Sequence, residues 1–192
     1  VKIILDQDEV LAHWVDKVLL WYNEDFQTSF TRHDVKDYWA MQDILGPAGK
    51  HFIRSCMRWP EFYTRLEPVQ GAIEGVKELI DAGHEVRIVT AVPVSAGIAY
   101  HGKTQWLRDH MPFFDLKDFY AVHKKDEVMG DILLDDGPHN IIDWEKTGRP
   151  AVVFDAPWNQ GVQSTYRIKN WKEFLELIND IDHIKKLGLL RT

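Results

Sequence analysis

Five short apolar runs, separated by amphipathic helical stripes, leave this 192-residue chain few folds to adopt. Residues 2–5 (KIIL), 85–90 (EVRIVT), 119–122 (FYAV), 132–134 (ILL) and 151–154 (AVVF) read as buried strands, because each is short and rich in β-branched or large apolar side chains. Between them, apolar residues recur at helical spacing. Val10, Leu11, Trp14, Val15, Val18, Leu19 and Tyr22 form the first such stripe. Ala72, Val76, Leu79 and Ile80 form another, ended by Gly83. Residues 100–111, a helix opened by Pro138, and a closing stripe of Trp171, Phe174, Leu175, Ile178 and Ile181 complete the series. Strands alternating with helices imply an α/β fold: a central parallel sheet with helices on both faces.

One stretch breaks the alternation. Residues 14–67 carry short helical patches and no strand, and from about Gln27 they are crowded with Phe30, Tyr38, Trp39, Phe52, Trp59, Phe62 and Tyr63. Gly46, Pro47 and Gly49 interrupt it. The expectation is a core made of residues 1–13 and 68–192, with residues 14–67 as a small helical insert after the first strand. The length suits one domain with such an insert. A net charge of −7 disfavours a nucleic-acid polymer as partner. No apolar run approaches a membrane span, and no signal peptide precedes the first strand. The lone Cys56 cannot form an internal disulfide and fits a reducing compartment, so a soluble, cytoplasmic protein is expected. Val1 stands where a Met would begin a chain, consistent with trimming of a preceding segment.

The chemistry is written at the strand ends. Asp6 and Asp8 follow the first strand, Thr90 ends the second, Lys125 follows the third, and Asp135 and Asp136 end the fourth. Acids after a strand are often only turn formers or helix caps, and Asp8 alone could be one. Parallel strands, however, deliver all their carboxyl ends to one edge of the sheet. Two bare carboxylates about 4 Å apart repel by roughly 4 kcal/mol at an effective dielectric near 20. A hard divalent cation relieves that repulsion, and Mg²⁺ is usually held by few carboxylates plus water and phosphate oxygens. A Thr hydroxyl and a Lys ammonium suit a phosphate oxygen. The set is a kit for phosphoryl transfer.

In this order, D-x-D, Thr, Lys, Asp-Asp, the chain resembles the haloacid dehalogenase (HAD) superfamily. Phosphorelay receiver domains share the residue types but place the acidic pair first. ILDQDEVLAHW, RLEPVQGA, IVTAVP, HGKTQWLRDHM and HKKDEVMGDILLDD are similar to segments of the 5′(3′)-deoxyribonucleotidases. The resemblance implies a Rossmann-like three-layer core with a small helical cap. It implies Asp6 as nucleophile and Asp8 as general acid and base. Mg²⁺ would be bound by Asp6, Asp135 and the Asp8 carbonyl, and phosphate by Thr90, Ala91 and Lys125. Asp136 would stand behind the metal ligands, and Trp14 and Phe62 would line a nucleobase pocket. The substrate would be a deoxynucleotide, a small phosphomonoester, with homodimerisation left open.

Some residues depart from that pattern or need a plainer reading. Glu9 stands where the family often has Gly; an outward-facing side chain is expected, since an inward one would repel phosphate or alter metal choice. Ala91 stands where relatives carry Ser, so its backbone N–H would serve alone. Lys124 is expected at the surface and Asp131 in a turn; Lys103, on a helix, is expected at the surface, with a second phosphate or nucleophile-loop contact as the alternative. The nine His show no metal-ligand spacing. Two other functions stay open: a HAD phosphatase for another small phosphoester, and a nucleotide-binding module without turnover.

Overall fold

The computed structural model describes residues 1–37, 40–92, 97–164 and 166–186. Tyr38, Trp39 and Pro93 lie outside them. Six parallel strands form one sheet: β1 (Lys2–Leu5), β2 (Glu85–Thr90), β3 (Phe119–Ala121), β4 (Ile132–Asp135), β5 (Ala151–Phe154) and β6 (Tyr166–Ile168), in the order β3-β2-β1-β4-β5-β6. β1 is central, with Leu5 opposite both Ile88 and Leu134. Ile3, Ile4 and Leu5 are fully buried, as a strand covered on both faces requires. The strand period of two sorts its neighbours between faces. Ile3, Leu5, Ile88, Leu134 and Val152 join the larger core on one side. Ile4, Val89, Leu133 and Val153 meet Ile141 and Trp144 on the other. The latter two lie on α7 (Pro138–Lys146), whose first-turn Pro matches expectation.

The sixth strand was not expected. Its YRI core has no apolar run, and it pairs on one side only, with β5. Directly after the D-x-D, where a helix or helical turn is expected, the turn is what forms, and the helix starts later. Residues 7–12 fold into a tight turn in which Gln7 O accepts from the N–H groups of Leu11 and Ala12. α1 (Trp14–Phe26) begins only after it, and its N-cap position is His13, not Asp8. Val10 and Leu11 therefore match the helical spacing by filling the core from a turn.

α1, a 3₁₀ turn at Arg32–Asp34, α2 (Met41–Ile44), α3 (Gly49–Cys56) and α4 (Pro60–Thr64) make the segment between β1 and α5 (Ala72–Asp81) helical. The chain enters and leaves it at one neck, where His13 N–H donates to Glu67 O at 2.9 Å and Val69 N–H to Leu11 O at 2.8 Å. Its aromatics pack edge to face, as in Trp21–Phe62 at 5.4 Å and Tyr22–Phe52 at 5.1 Å. This packing is continuous with the large core of the sheet. α4 lies against α6 (Gly97–His110), where Trp106 Nε1 donates to Leu66 O at 2.8 Å. Among the described residues no helix is long and apolar enough to cross a membrane.

The closing helix α8 (Trp171–Lys186) reaches back to the loop that carries the acids. Trp171 is 1% exposed and its Nε1 donates to Val10 O at 2.9 Å. Gly75 on α5 makes room for it: a Cβ there would lie 2.4 Å from Trp171 Cε3. Ala would gain about 1 kcal/mol of helix propensity over Gly. Displacing a buried indole costs about 1–3 kcal/mol. Gly75→Ala is therefore expected to lower the urea midpoint, as measured by equilibrium unfolding. An unchanged or raised midpoint would show that Trp171 relocates freely.

Candidate active site

The strand order reverses between β1 and β4, the switch point at which open α/β sheets bind ligands. Asp6 N–H still donates to Leu134 O at 3.0 Å, so the pairing of β1 with β4 persists to the first acid. Asp6 then stands beside Asp135 across the crevice, and Asp136 follows at once. Asp6, Asp135 and Asp136 are 8%, 0% and 4% exposed, and each offers a carboxylate oxygen within 4.8 Å of the others. Each is held in orientation. Asp6 Oδ1 accepts from Gln7 N–H at 2.7 Å. Asp135 Oδ1 accepts from Gly137 N–H at 2.8 Å and Asn140 Nδ2 at 3.1 Å. Asp136 Oδ2 accepts from Trp158 Nε1 at 2.8 Å.

One ammonium answers the three acids. Lys125, in the 3₁₀ turn Lys125–Glu127 after β3, puts Nζ 2.8 Å from Asp6 Oδ1 and 2.6 Å from Asp135 Oδ2. Burial alone would favour its neutral form, but Asp135 and Asp6 overcome this and push its pKa up, so it stays charged. The acids are undercompensated. Burial pushes Asp135 up, with Lys125 opposing and Asp6 adding. Asp136 is pushed further, by burial first and then by Asp135, Asp6 and Glu9. An all-oxygen site with a surplus of buried negative charge fits a hard divalent cation. Asp136 shares in that group directly, which differs from a place wholly behind the ligands.

Asp8 faces a different partner. Lys103, on α6, is 1% exposed and donates from Nζ to Asp8 Oδ1 at 2.6 Å and Thr90 Oγ1 at 2.9 Å. The surface position expected for Lys103 is thus wrong. Ala99, Lys103, Trp106 and Leu107 share one buried helix face, a spacing readable in the sequence. The Asp8 carboxyl is pushed up by lost solvation, pulled down by Lys103 and raised again by Asp6. Glu9 also departs from its expected outward pose. At 4% exposure its Oε1 accepts from Val15 N–H at 2.6 Å and its Oε2 from Arg32 Nη2 at 2.7 Å, with burial pushing its pKa up to about 7. Lys124 is exposed beside Glu127, and Asp131 accepts from Lys2 N–H at 2.7 Å, both as expected.

Of these groups Asp6, Asp8, Glu9, Lys125 and Asp136 line a cavity of about 700 Å³, whereas Asp135, Thr90 and Lys103 do not. Asp6, Asp8, Lys125 and Asp136 lie at its polar end with Ala91. Trp14, Val35, Met41, Ile53, Met57 and Tyr63 form an apolar wall, in which Gln42 is a polar exception. Phe62 is fully buried and meets Trp14 edge-on at 5.9 Å, standing behind that wall. Trp158 and His139, which the strand-end reading missed, also line the cavity; Trp158 comes from the 3₁₀ turn after β5 and His139 from the first turn of α7 after β4.

Residues 1–185 match the family model described as 5′ nucleotidase, deoxy (Pyrimidine), cytosolic type C protein. A Staphylococcus epidermidis protein provisionally named 5′(3′)-deoxyribonucleotidase is 27% identical over 188 residues, spanning 94% of this chain and 97% of that one. The 5′(3′)-deoxyribonucleotidase of Bacillus subtilis is 28% identical over 113 residues, covering 59% of this chain and 63% of its own. Among solved structures, a haloacid dehalogenase-like protein of Agrobacterium tumefaciens superposes with a TM-score of 0.64 at 12% identity, over 94% of this chain and 98% of that one. A HAD-type hydrolase of Bacillus subtilis, solved with magnesium bound, gives 0.60 at 14% identity, over 92% and 97%. The two superpositions establish the shared fold.

The carboxylate cluster has a consequence that needs no assay of turnover. A cation that binds only the folded site should stabilise the protein, roughly 5–10 °C in melting temperature at a hundredfold excess over Kd. Adding Mg²⁺ to metal-free protein is expected to produce such a rise by calorimetry, and Asp135→Asn to remove most of it. An equal rise in both proteins would place the cation elsewhere.

Proposed function

The chain belongs to the type C family of deoxy (pyrimidine) 5′ nucleotidases, phosphoric monoester hydrolases of HAD fold, and from that premise we propose that it hydrolyses deoxynucleoside 5′(3′)-monophosphates through a phosphorylated Asp6. The observation that carries this reading is the buried Asp6–Asp135–Asp136 cluster beside Lys125, opening onto a cavity with an apolar wall. Residues 14–67 act as the cap that supplies most of that wall. The lone thiol of Cys56 suits a reducing, cytoplasmic setting.

In this mechanism Asp6 attacks phosphorus, forming an Asp6–phosphorus bond as the ester oxygen leaves. Asp8, whose raised pKa keeps it protonated to higher pH than a free carboxyl, gives its proton to that oxygen. Water then attacks the aspartyl-phosphate, Asp8 takes a proton from it, and Asp6 is released. Lys125 and the Thr90 hydroxyl hold phosphoryl oxygens, with the Ala91 N–H beside them. Lys103, bonded to both Asp8 and Thr90, restrains the acid relative to the clamp. Asp6, Asp135 and the Asp8 carbonyl, with Asp136 adjacent, would hold Mg²⁺, which when bound offsets the carboxylate charge and polarises the phosphoryl group.

Selectivity falls to the wall. Trp14 offers an aromatic face for a base, a contact worth roughly 1–3 kcal/mol. Apolar side chains near the sugar would leave a 2′-hydroxyl unpaired, at about 1–3 kcal/mol, or about one to two decades in rate. Higher kcat/KM is expected for dUMP or dTMP than for UMP, with Trp14→Ala harming nucleotides more than a baseless phosphoester. Equal rates throughout would favour the general small-phosphoester reading.

The acid role makes a second prediction. Lys103 lowers the pKa of Asp8, so removing its charge raises that pKa and keeps the acid protonated to higher pH. Lys103→Met should shift the alkaline limb of kcat/KM upward for substrates with poor leaving groups. A downward shift, or none, would assign the acid elsewhere.

A further inference from the structure

The helical segment is tied to the catalytic edge by one ion pair that the chemistry above does not use. Arg32, in the 3₁₀ turn after α1, donates from Nη2 to Glu9 Oε2 at 2.7 Å and from Nη1 to Asp16 Oδ2 at 3.0 Å. The same guanidinium lies 5.5 Å from the centre of the Trp158 ring. Trp158 in turn holds Asp136, and Glu9 follows Asp8 directly. Arg32 therefore contacts two loops at the carboxyl edge of the sheet, one after β1 and one after β5. Its 3₁₀ turn packs on the turn Pro157–Asn159 that carries Trp158. Val35, three residues beyond Arg32, is part of the cavity wall, whereas Arg32 is not.

The backbone at Glu9 makes the pair more telling. Glu9 has φ of 61°, a left-handed conformation that Gly adopts freely and that burdens a residue with a Cβ. Its carboxylate is also buried beside other acids, where a single missing partner leaves an uncompensated charge. A residue unfavourable on both counts is held by the two contacts its carboxylate makes: the Val15 N–H in the first turn of α1, and Arg32. Both contacts bind the helical segment, and neither reaches the phosphate clamp.

We propose that the Glu9–Arg32 pair is a latch that seats the helical segment over the phosphate site, making Arg32 a positioning residue for the nucleoside half of the substrate. The kinetic part of this proposal rests on the phosphatase reading; the latch itself does not. Loosening it moves the wall formed by Val35, Met41 and Ile53 while Asp6, Lys125 and Asp135 keep their mutual bonds. The nucleoside loses its surface, and the phosphate keeps its own.

Glu9→Gly is the informative variant, because Gly relieves the backbone at φ of 61° and removes the buried charge, so folding is not endangered. It should be compared with Arg32→Ala and with the double variant, all in the full chain with Mg²⁺. Hydrogen exchange by mass spectrometry, without substrate, is expected to accelerate over residues 28–37 in Glu9→Gly and to stay unchanged in β1 and β4. Glu9 lines the cavity beside Asp6 and Asp8, so removing its charge acts on both substrates, and the latch is read as the difference between them. Glu9→Gly and the double variant should each lose about tenfold more kcat/KM on dUMP than on p-nitrophenyl phosphate, chiefly through KM. Arg32→Ala alone should be worse than the double, since it strands the Glu9 carboxylate. Unaltered exchange in Glu9→Gly would overturn the latch. So would equal losses on both substrates, or a double variant whose losses simply add. A wild-type protein inactive on both phosphoesters would defeat the phosphatase reading, and the exchange data would still decide the latch.

Discussion

The ammonium of Lys125, lodged between Asp6 and Asp135, is the interaction on which the site depends. It joins the ends of two strands, β1 and β4, through a residue delivered by the turn after a third, β3. A parallel sheet is what makes that convergence geometrically cheap, because every strand presents its carboxyl end at the same edge. The lysine neutralises too little. Asp135 and Asp136 remain raised by burial, and that residual negative charge makes the edge receptive to a divalent cation. Charge that costs the fold stability is charge available for binding.

How legible this was in the sequence varies with the physical source of each feature. Central strands buried on both faces are apolar runs, so KIIL and ILL declared themselves, and with them the acids that follow, while EVRIVT was legible from its β-branched residues despite Glu85 and Arg87. β6 did not, because a short edge strand with one partner carries no such constraint, and Tyr166-Arg167-Ile168 looks like loop. Val10 and Leu11 misled in the opposite direction: core-filling residues in a turn mimicked helical spacing. Lys103 shares the buried face of Trp106 and Leu107, a pattern present in the sequence but outweighed by the usual exposure of lysine. Glu9 was the least legible. Its pose follows from an arginine 23 residues away, a contact no local pattern encodes.

The helical segment is part of the same construction rather than an appendage. Its aromatics share one core with the sheet, its neck is pinned by backbone hydrogen bonds, and Trp171 from the last helix steadies the loop on which Val10 and the acids sit. Apolar packing thus builds the wall opposite the carboxylate end of the cavity, and Arg32 joins the helical segment to the loop after β1. On the proposed function, fold and selectivity draw on the same side chains.

The central claim is that the Asp6 carboxylate is the group that receives the phosphoryl moiety. The most direct test is rapid acid quench of enzyme mixed with a ³²P-labelled deoxynucleoside monophosphate, followed by mapping of the labelled peptide. The label is predicted on Asp6, formed and lost at rates compatible with turnover. Label on another residue, or turnover with no covalent label on a time scale that resolves it, would contradict the account.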